Sequence, residues 1–132
     1  MGAVKPILLV AGLVAVAIGG FALLLPVSFR ASYGIDAAGD LSLLNETRAF
    51  GGGLLAVGVA IAWGGFTRTL AAPAALLGTA VYGAYGLSRL LSLATDGRPD
   101  GGLLLAGAVE LLLAAACATV VPRARRSALA SS

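Results

Sequence analysis

The sequence predicts an all-α integral membrane protein, a four-helix bundle with both termini in the cytoplasm. Three observations carry that reading. Of 132 residues, 59% are hydrophobic and 11% charged, against about 25% charged in a soluble domain. Four apolar stretches approach the roughly 20 residues that a helix needs to cross a bilayer, and short connections join most of them. The connecting charges are also sorted by side. Lys5, Arg68, Arg123, Arg125 and Arg126 fall on one side with no acid among them. Arg30 and Arg98 fall on the other, together with Asp36, Asp40, Asp96 and Asp100. The positive-inside rule places the acid-free side, and with it both termini, in the cytoplasm. The expected location is the plasma (inner) membrane, crossed several times.

The first helix is expected over about residues 6–27, behind the lone Lys5. A signal peptide would also begin with a basic residue and an apolar run. This run is longer than the usual 7–15 residues, and no small-x-small cleavage site follows it. Pro26 and Ser28-Phe29-Arg30 mark a membrane exit instead. Gly and Asp punctuate residues 28–44 as a loop with a short interfacial turn, and Phe29 and Tyr33 suit the headgroup zone. A second helix is expected over about 44–66, with Asn45 placed to cap it and Trp63 as an interfacial anchor. Thr67-Arg68-Thr69 is a tight connection. The third helix, about 70–94, carries Pro73 in its first turn, where a missing N–H costs little. Thr95 to Gly101 is a turn by composition. The fourth helix, about 102–121, is expected to stop at Pro122. Residues 1–122 thus form one membrane domain, and 123–132 a basic cytoplasmic tail, disordered toward Ser132.

The inventory closes off much chemistry. There is no histidine and one cysteine, Cys117, so a Cys/His metal site and a Ser-His or Cys-His nucleophilic pair are both excluded. No cofactor is expected. The basic residues gather at the C-terminus and aromatics are sparse, which argues against nucleic-acid binding. Catalysis would have to use Tyr82, Tyr85, Glu46 and Glu110 as its acid–base groups, so the sequence leans away from an enzyme.

Two charges stand inside apolar segments. An ionisable group at mid-bilayer costs about 2.5–3.5 kcal/mol on insertion scales and usually faces a partner or a cavity. Arg89 lies roughly 9 residues before the Arg98-Pro99 turn and Glu110 roughly 11 after it, depths of about 14 and 17 Å at helical rise. They can pair if their faces meet. Glu110 shares a face with Gly107, Ala114 and Cys117, and Arg89 shares one with Tyr82, Tyr85 and Gly86. Glu46 and Arg48 lie on the same side at shallower depth. Their two-residue spacing points them to different faces. Glu46 suits a helix N-terminus, whereas Arg48 needs an acid, Glu110 or a loop aspartate, unless it snorkels to the interface. Such a cluster can fix helix register, hold a ligand, or relay protons. Gly51-Gly52-Gly53, Gly58 and Ala62 in the second helix, with Ala11, Ala15 and Gly19 in the first, are small residues at packing spacing. The glycine run is no phosphate cradle, for neither a strand nor a Lys-Ser/Thr flanks it.

The order Pro26-x-x-Phe29, Tyr33-Gly34, Leu44-x-Glu46-x-Arg48-Ala49-x-Gly51-Gly52, Gly86-Leu87-x-Arg89-Leu90-x-Ser92, Asp96-Gly97-x-Pro99 and Glu110 resembles the small bacterial membrane proteins of domain of unknown function 4345. The resemblance spans nearly the whole chain and implies a four-helix integral membrane fold, with no activity, substrate or cofactor attached. A looser likeness of helix layout points toward small four-helix membrane scaffolds that gather sterol-synthesis enzymes, by analogy of fold alone.

The function expected is a binding or scaffold subunit. Its partners would be the lipid bilayer, a membrane protein or a second copy, and a small lipid-like ligand held by Glu46, Arg48, Tyr82, Tyr85, Arg89 and Glu110. A proton- or ion-coupled transporter using Glu110 is the alternative, and a membrane-embedded enzyme the third reading.

Overall fold

The computed structural model describes residues 2–132 and contains helix and loop, with no strand among the described residues. The helices are α1 (Val4–Leu24), α2 (Pro26–Ala31), α3 (Leu41–Gly64), α4 (Arg68–Thr95) and α5 (Gly101–Ala130). The four long ones are long and apolar enough to cross a membrane. They run up, down, up, down, so both termini lie at one end, and α2 and the α4–α5 turn lie at the other, distal end. Helix α1 packs most closely on α3, and α4 on α5. The two pairs meet where α3 faces α4, where α1 faces α5, and across the α1–α4 diagonal.

Each boundary has a local cause. Pro26 lacks an N–H, so the carbonyl four residues back loses its donor. Leu25 leaves helical geometry (φ −127°, ψ 59°), and α2 restarts with Pro26 in its first turn. The chain then turns through Gly34 and Gly39, both at positive φ (74° and 81°), a region glycine enters freely. Asp40 follows and caps α3, accepting from the Leu43 N–H at 2.9 Å. The second long helix therefore starts at Leu41, ahead of the expected residue 44. Asn45 is no cap, and Glu46 sits in the second turn, beyond the strongest part of the dipole.

The other end of the chain also departs from expectation. Helix α5 does not stop at Pro122 but runs through it to Ala130. Pro122 is exposed, on the outer side of the helix. Val120 and Ala124, both fully buried, pack in one core with Val4 and Leu8 of α1 and hold the extra turns in place. Residues 123–130 are thus part of α5, and the last two residues lie beyond its end. Pro73 likewise lies inside α4 instead of in its first turn, because α4 begins at Arg68.

The core is uneven along the bundle. Its large fully buried apolar side chains, Val4, Leu8, Ile61, Cys117 and Val120, belong to the half nearer the termini, and the distal half buries the polar Thr47. Small residues close the seams. A Cβ on Gly19 would meet the Leu55 nitrogen at 2.5 Å and the Gly51 carbonyl oxygen at 2.7 Å. One on Gly12 would meet the Ala62 nitrogen at 2.5 Å and the Gly58 oxygen at 2.7 Å. The α1–α3 seam is therefore backbone against backbone, with Gly12 and Gly19 facing Gly58 and Gly51. Of the expected Gly51-Gly52-Gly53 packing run, Gly51 alone is pressed in this way. A Cβ on Gly52 would reach nothing nearer than Leu23 Cδ1 at 4.0 Å, and one on Gly53 would meet nothing.

Candidate functional site

The expected ion pair is present. Arg89 donates from Nε to Glu110 Oε2 at 2.6 Å and from Nη2 to Oε1 at 3.0 Å, the two-pronged geometry that guanidinium and carboxylate favour. The helices bring the two together because α4 and α5 are antiparallel about the Asp96–Asp100 turn. A Cβ on Gly107 would lie 3.2 Å from Arg89 Cδ, so a glycine one turn from Glu110 makes room for the arginine stem. The side chains are 32% and 13% exposed. Among the described residues this is the one ion pair.

Glu46 and Arg48 stand apart from it. Both are exposed. Arg48 Nη1 donates to the Leu23 carbonyl, in the last turn of α1, where orphan carbonyls and the negative end of the helix dipole attract a cation. The acid expected for it, Glu110 or a loop aspartate, is not its partner. The expected four-charge cluster thus resolves into a deep pair and two surface groups, because α3 points residues 46 and 48 away from the α4–α5 seam.

Beside the pair lies a cavity of about 370 Å³, within the range of small-molecule sites, bordered by Tyr82, Tyr85, Arg89 and Glu110. Ala15 and Ile18 of α1 and Leu54 of α3 close its deep side, Ser32, Tyr33 and Gly102 its distal end. Leu105 and Val109 of α5 flank it and are 67% and 36% exposed, so its open side faces outward between α1 and α5. Tyr82 is 3% exposed and its hydroxyl donates to the Ala11 carbonyl. That bond ties α4 to α1 across the bundle and leaves Tyr82 a poor acid or base.

Sequence reasoning did not assemble the aromatic wall of this cavity. Phe29 meets Tyr33 edge-on at 5.3 Å and Phe50 at 6.0 Å, and Phe50 meets Tyr85 edge-on at 5.8 Å. The wall is anchored by Arg30, whose Nε donates to Thr47 Oγ1 at 2.7 Å. Thr47 is fully buried and in turn donates to the Leu43 carbonyl at 2.7 Å. Helical spacing was the available signal, since Thr47 shares a face with Leu43, Gly51 and Leu54. A second groove of about 480 Å³ runs between α4 and α5 on the far side of Arg89, past Ser88, Ser92 and Leu103.

Residues 3–121 match the family described as Domain of unknown function (DUF4345). The chain belongs to the DUF4345 family. No curated protein and no solved structure matches it. In this DUF4345 protein the stretches that carry the resemblance take separate places. Glu46-x-Arg48-Ala49-x-Gly51-Gly52 spans the distal end of the α1–α3 seam, and in Gly86-Leu87-x-Arg89 the glycine lines the α4–α5 groove while Arg89 borders both cavities. Among the described residues no group of His, Cys, Asp and Glu could hold a metal ion.

Proposed function

We propose that this DUF4345 protein is a small multi-span protein of the plasma (inner) membrane, with both termini cytoplasmic, that works as a binding or scaffold subunit. Its ligand is a small lipid-like molecule taken up beside Arg89 and Glu110. The observation that carries the reading is a cavity of about 370 Å³ that opens between α1 and α5 and has one charged pair and a few hydroxyls in an otherwise apolar wall. That combination suits a molecule with a polar head and an apolar body. Tyr82, Tyr85, Arg89 and Glu110 are its contact residues; Glu46 and Arg48 are not. Loop charges support the orientation, since Lys5, Arg68, Arg123, Arg125 and Arg126 share the end with the termini. A carrier that moves protons through Glu110 is less well supported. Both carboxylate oxygens are held by Arg89, and the core between Glu110 and the termini is apolar, from Ile61 and Cys117 to Val120.

The test is extraction into polymer-bounded native membrane discs, followed by native mass spectrometry and partner pull-down. The expected result is a co-purifying small amphiphile that is lost in Ala106→Trp, a substitution in the cavity wall. A monodisperse protein with neither bound amphiphile nor partner would overturn the reading.

A further inference from the structure

We infer that the cavity selects an uncharged head group, an oxygen-bearing ring such as a quinone or a ring alcohol, over the charged heads of phospholipids and fatty acids. The inference rests on the ligand-binding reading above and concerns what that ligand is. Three features on the cavity wall point to it.

The first is charge. Arg89 and Glu110 neutralise each other through two hydrogen bonds, and among the described residues no other charged side chain lines the cavity, Arg30 lying over the Phe29 ring and donating to Thr47. A charged head would lie in an apolar wall with no free counter-charge, or would have to break the pair and strand one of its members. Either route leaves an ion out of water with no partner to offset its lost hydration.

The second is hydrogen-bonding capacity. Tyr33 and Tyr85 border the cavity, and among the described residues neither hydroxyl has a protein partner, whereas that of Tyr82 donates to the Ala11 carbonyl. A phenol both donates and accepts, so the two free hydroxyls can serve a carbonyl or a hydroxyl with no change of charge. The third is shape. Phe29, Tyr33, Phe50 and Tyr85 form a chain of edge-to-face and tilted contacts, a surface whose faces and edges receive another ring well. An unbranched chain alone would leave that complementarity unused.

Four probes with the same ten-carbon tail separate these features: decylbenzoquinone, 1-decanol, decyl sulfate and decyltrimethylammonium. Each is titrated calorimetrically into the full-length protein in phosphatidylcholine nanodiscs, with empty discs subtracted. Decylbenzoquinone is expected to bind at least tenfold more tightly than either ion and several-fold more tightly than decanol. Glu110→Gln frees the Arg89 charge and is expected to strengthen decyl sulfate binding at least tenfold. The double variant Arg89→Gln, Glu110→Gln restores an uncharged wall and the preference for the quinone. Decyl sulfate binding to the wild type as tightly as the quinone would overturn the inference while leaving the ligand-binding reading intact. Decanol matching the quinone would overturn the ring assignment. No binding of any probe, in discs where the protein is folded, would count against the cavity reading itself. Should Glu110→Gln fail to fold, the wild-type rank order decides alone. A substituted ring alcohol run beside the quinone tells which of the two oxygen functions the phenols prefer.

Discussion

The α1–α3 and α4–α5 seams each join two antiparallel apolar helices, yet they differ in what fills the gap. Between α1 and α3 the glycines bring backbone onto backbone, and Gly12 and Gly19 stand against Gly58 and Gly51 with no room for a methyl group. Between α4 and α5 the gap is filled by side chains. Leu111 covers Gly86, Cys117 covers Gly78, and Arg89 passes over Gly107 to reach Glu110. In lipid, helices associate through close packing and polar contacts more than through apolar burial, and each seam relies on one of these. The first has one way to fit and carries no chemistry. The second can yield, and the two cavities adjoin it at Arg89.

The contrast is broken most directly by adding a methyl group to each seam. In Gly19→Ala the new Cβ would press on the Leu55 nitrogen and the Gly51 oxygen, and backbone can move away only if the helices part. A loss at or above the upper end of the about 1–3 kcal/mol typical of overpacking is expected. In Gly86→Ala the nearest atoms are Leu111 Cδ2 and Cγ, at 2.6 and 2.7 Å. A leucine can change rotamer, so about 1 kcal/mol is expected. Thermal unfolding in one detergent measures both, and equal shifts would show that the seams do not differ in stiffness.

The arginines sharpen the comparison at the next level of effect. Arg89→Leu strands Glu110, whose side chain is 13% exposed. The cost is expected near the lower end of the about 3–5 kcal/mol found when a buried pair is broken. Arg48→Leu removes a donor from the Leu23 carbonyl at an exposed position, and about 1 kcal/mol is expected, the scale of one net hydrogen bond. Chemical denaturation of the two variants in matched micelles would set the order. A larger loss for Arg48→Leu would mean that the α1 terminus, rather than the deep pair, is the polar contact the fold depends on.

Much of this was legible in the sequence. Hydropathy located the four long helices, and counting residues from a single turn brought Arg89 level with Glu110. What escaped were features that depend on which of several equivalent signals prevails. Asp40 and Asn45 can both cap a helix, and Asp40 does so because Gly39 turns the chain just before it. Pro122 reads as a stop, yet Val120 and Ala124 pack against α1 strongly enough to carry the helix through. The aromatic wall needs Phe29 and Tyr33 beside Phe50 and Tyr85, residues on three elements that only the tertiary fold assembles. The Arg30–Thr47 contact was missed for the same reason, although helical spacing already placed Thr47 on the inward face of α3.

Gly53 offers the smallest effect and the finest control on the glycine seam. It follows Gly51 and Gly52 in sequence but faces outward, with nothing within 4 Å of an added Cβ. A mid-helix glycine costs roughly 0.5–1 kcal/mol relative to alanine through the freedom it must lose. Gly53→Ala should therefore raise the stability of the purified protein by up to about that amount, opposite in sign to Gly19→Ala. Thermal unfolding of the pair under one condition decides it. A fall in stability would mean that the Gly53 face is itself covered, by a second copy or a bound lipid. Close packing would then extend beyond the four facing glycines of α1 and α3.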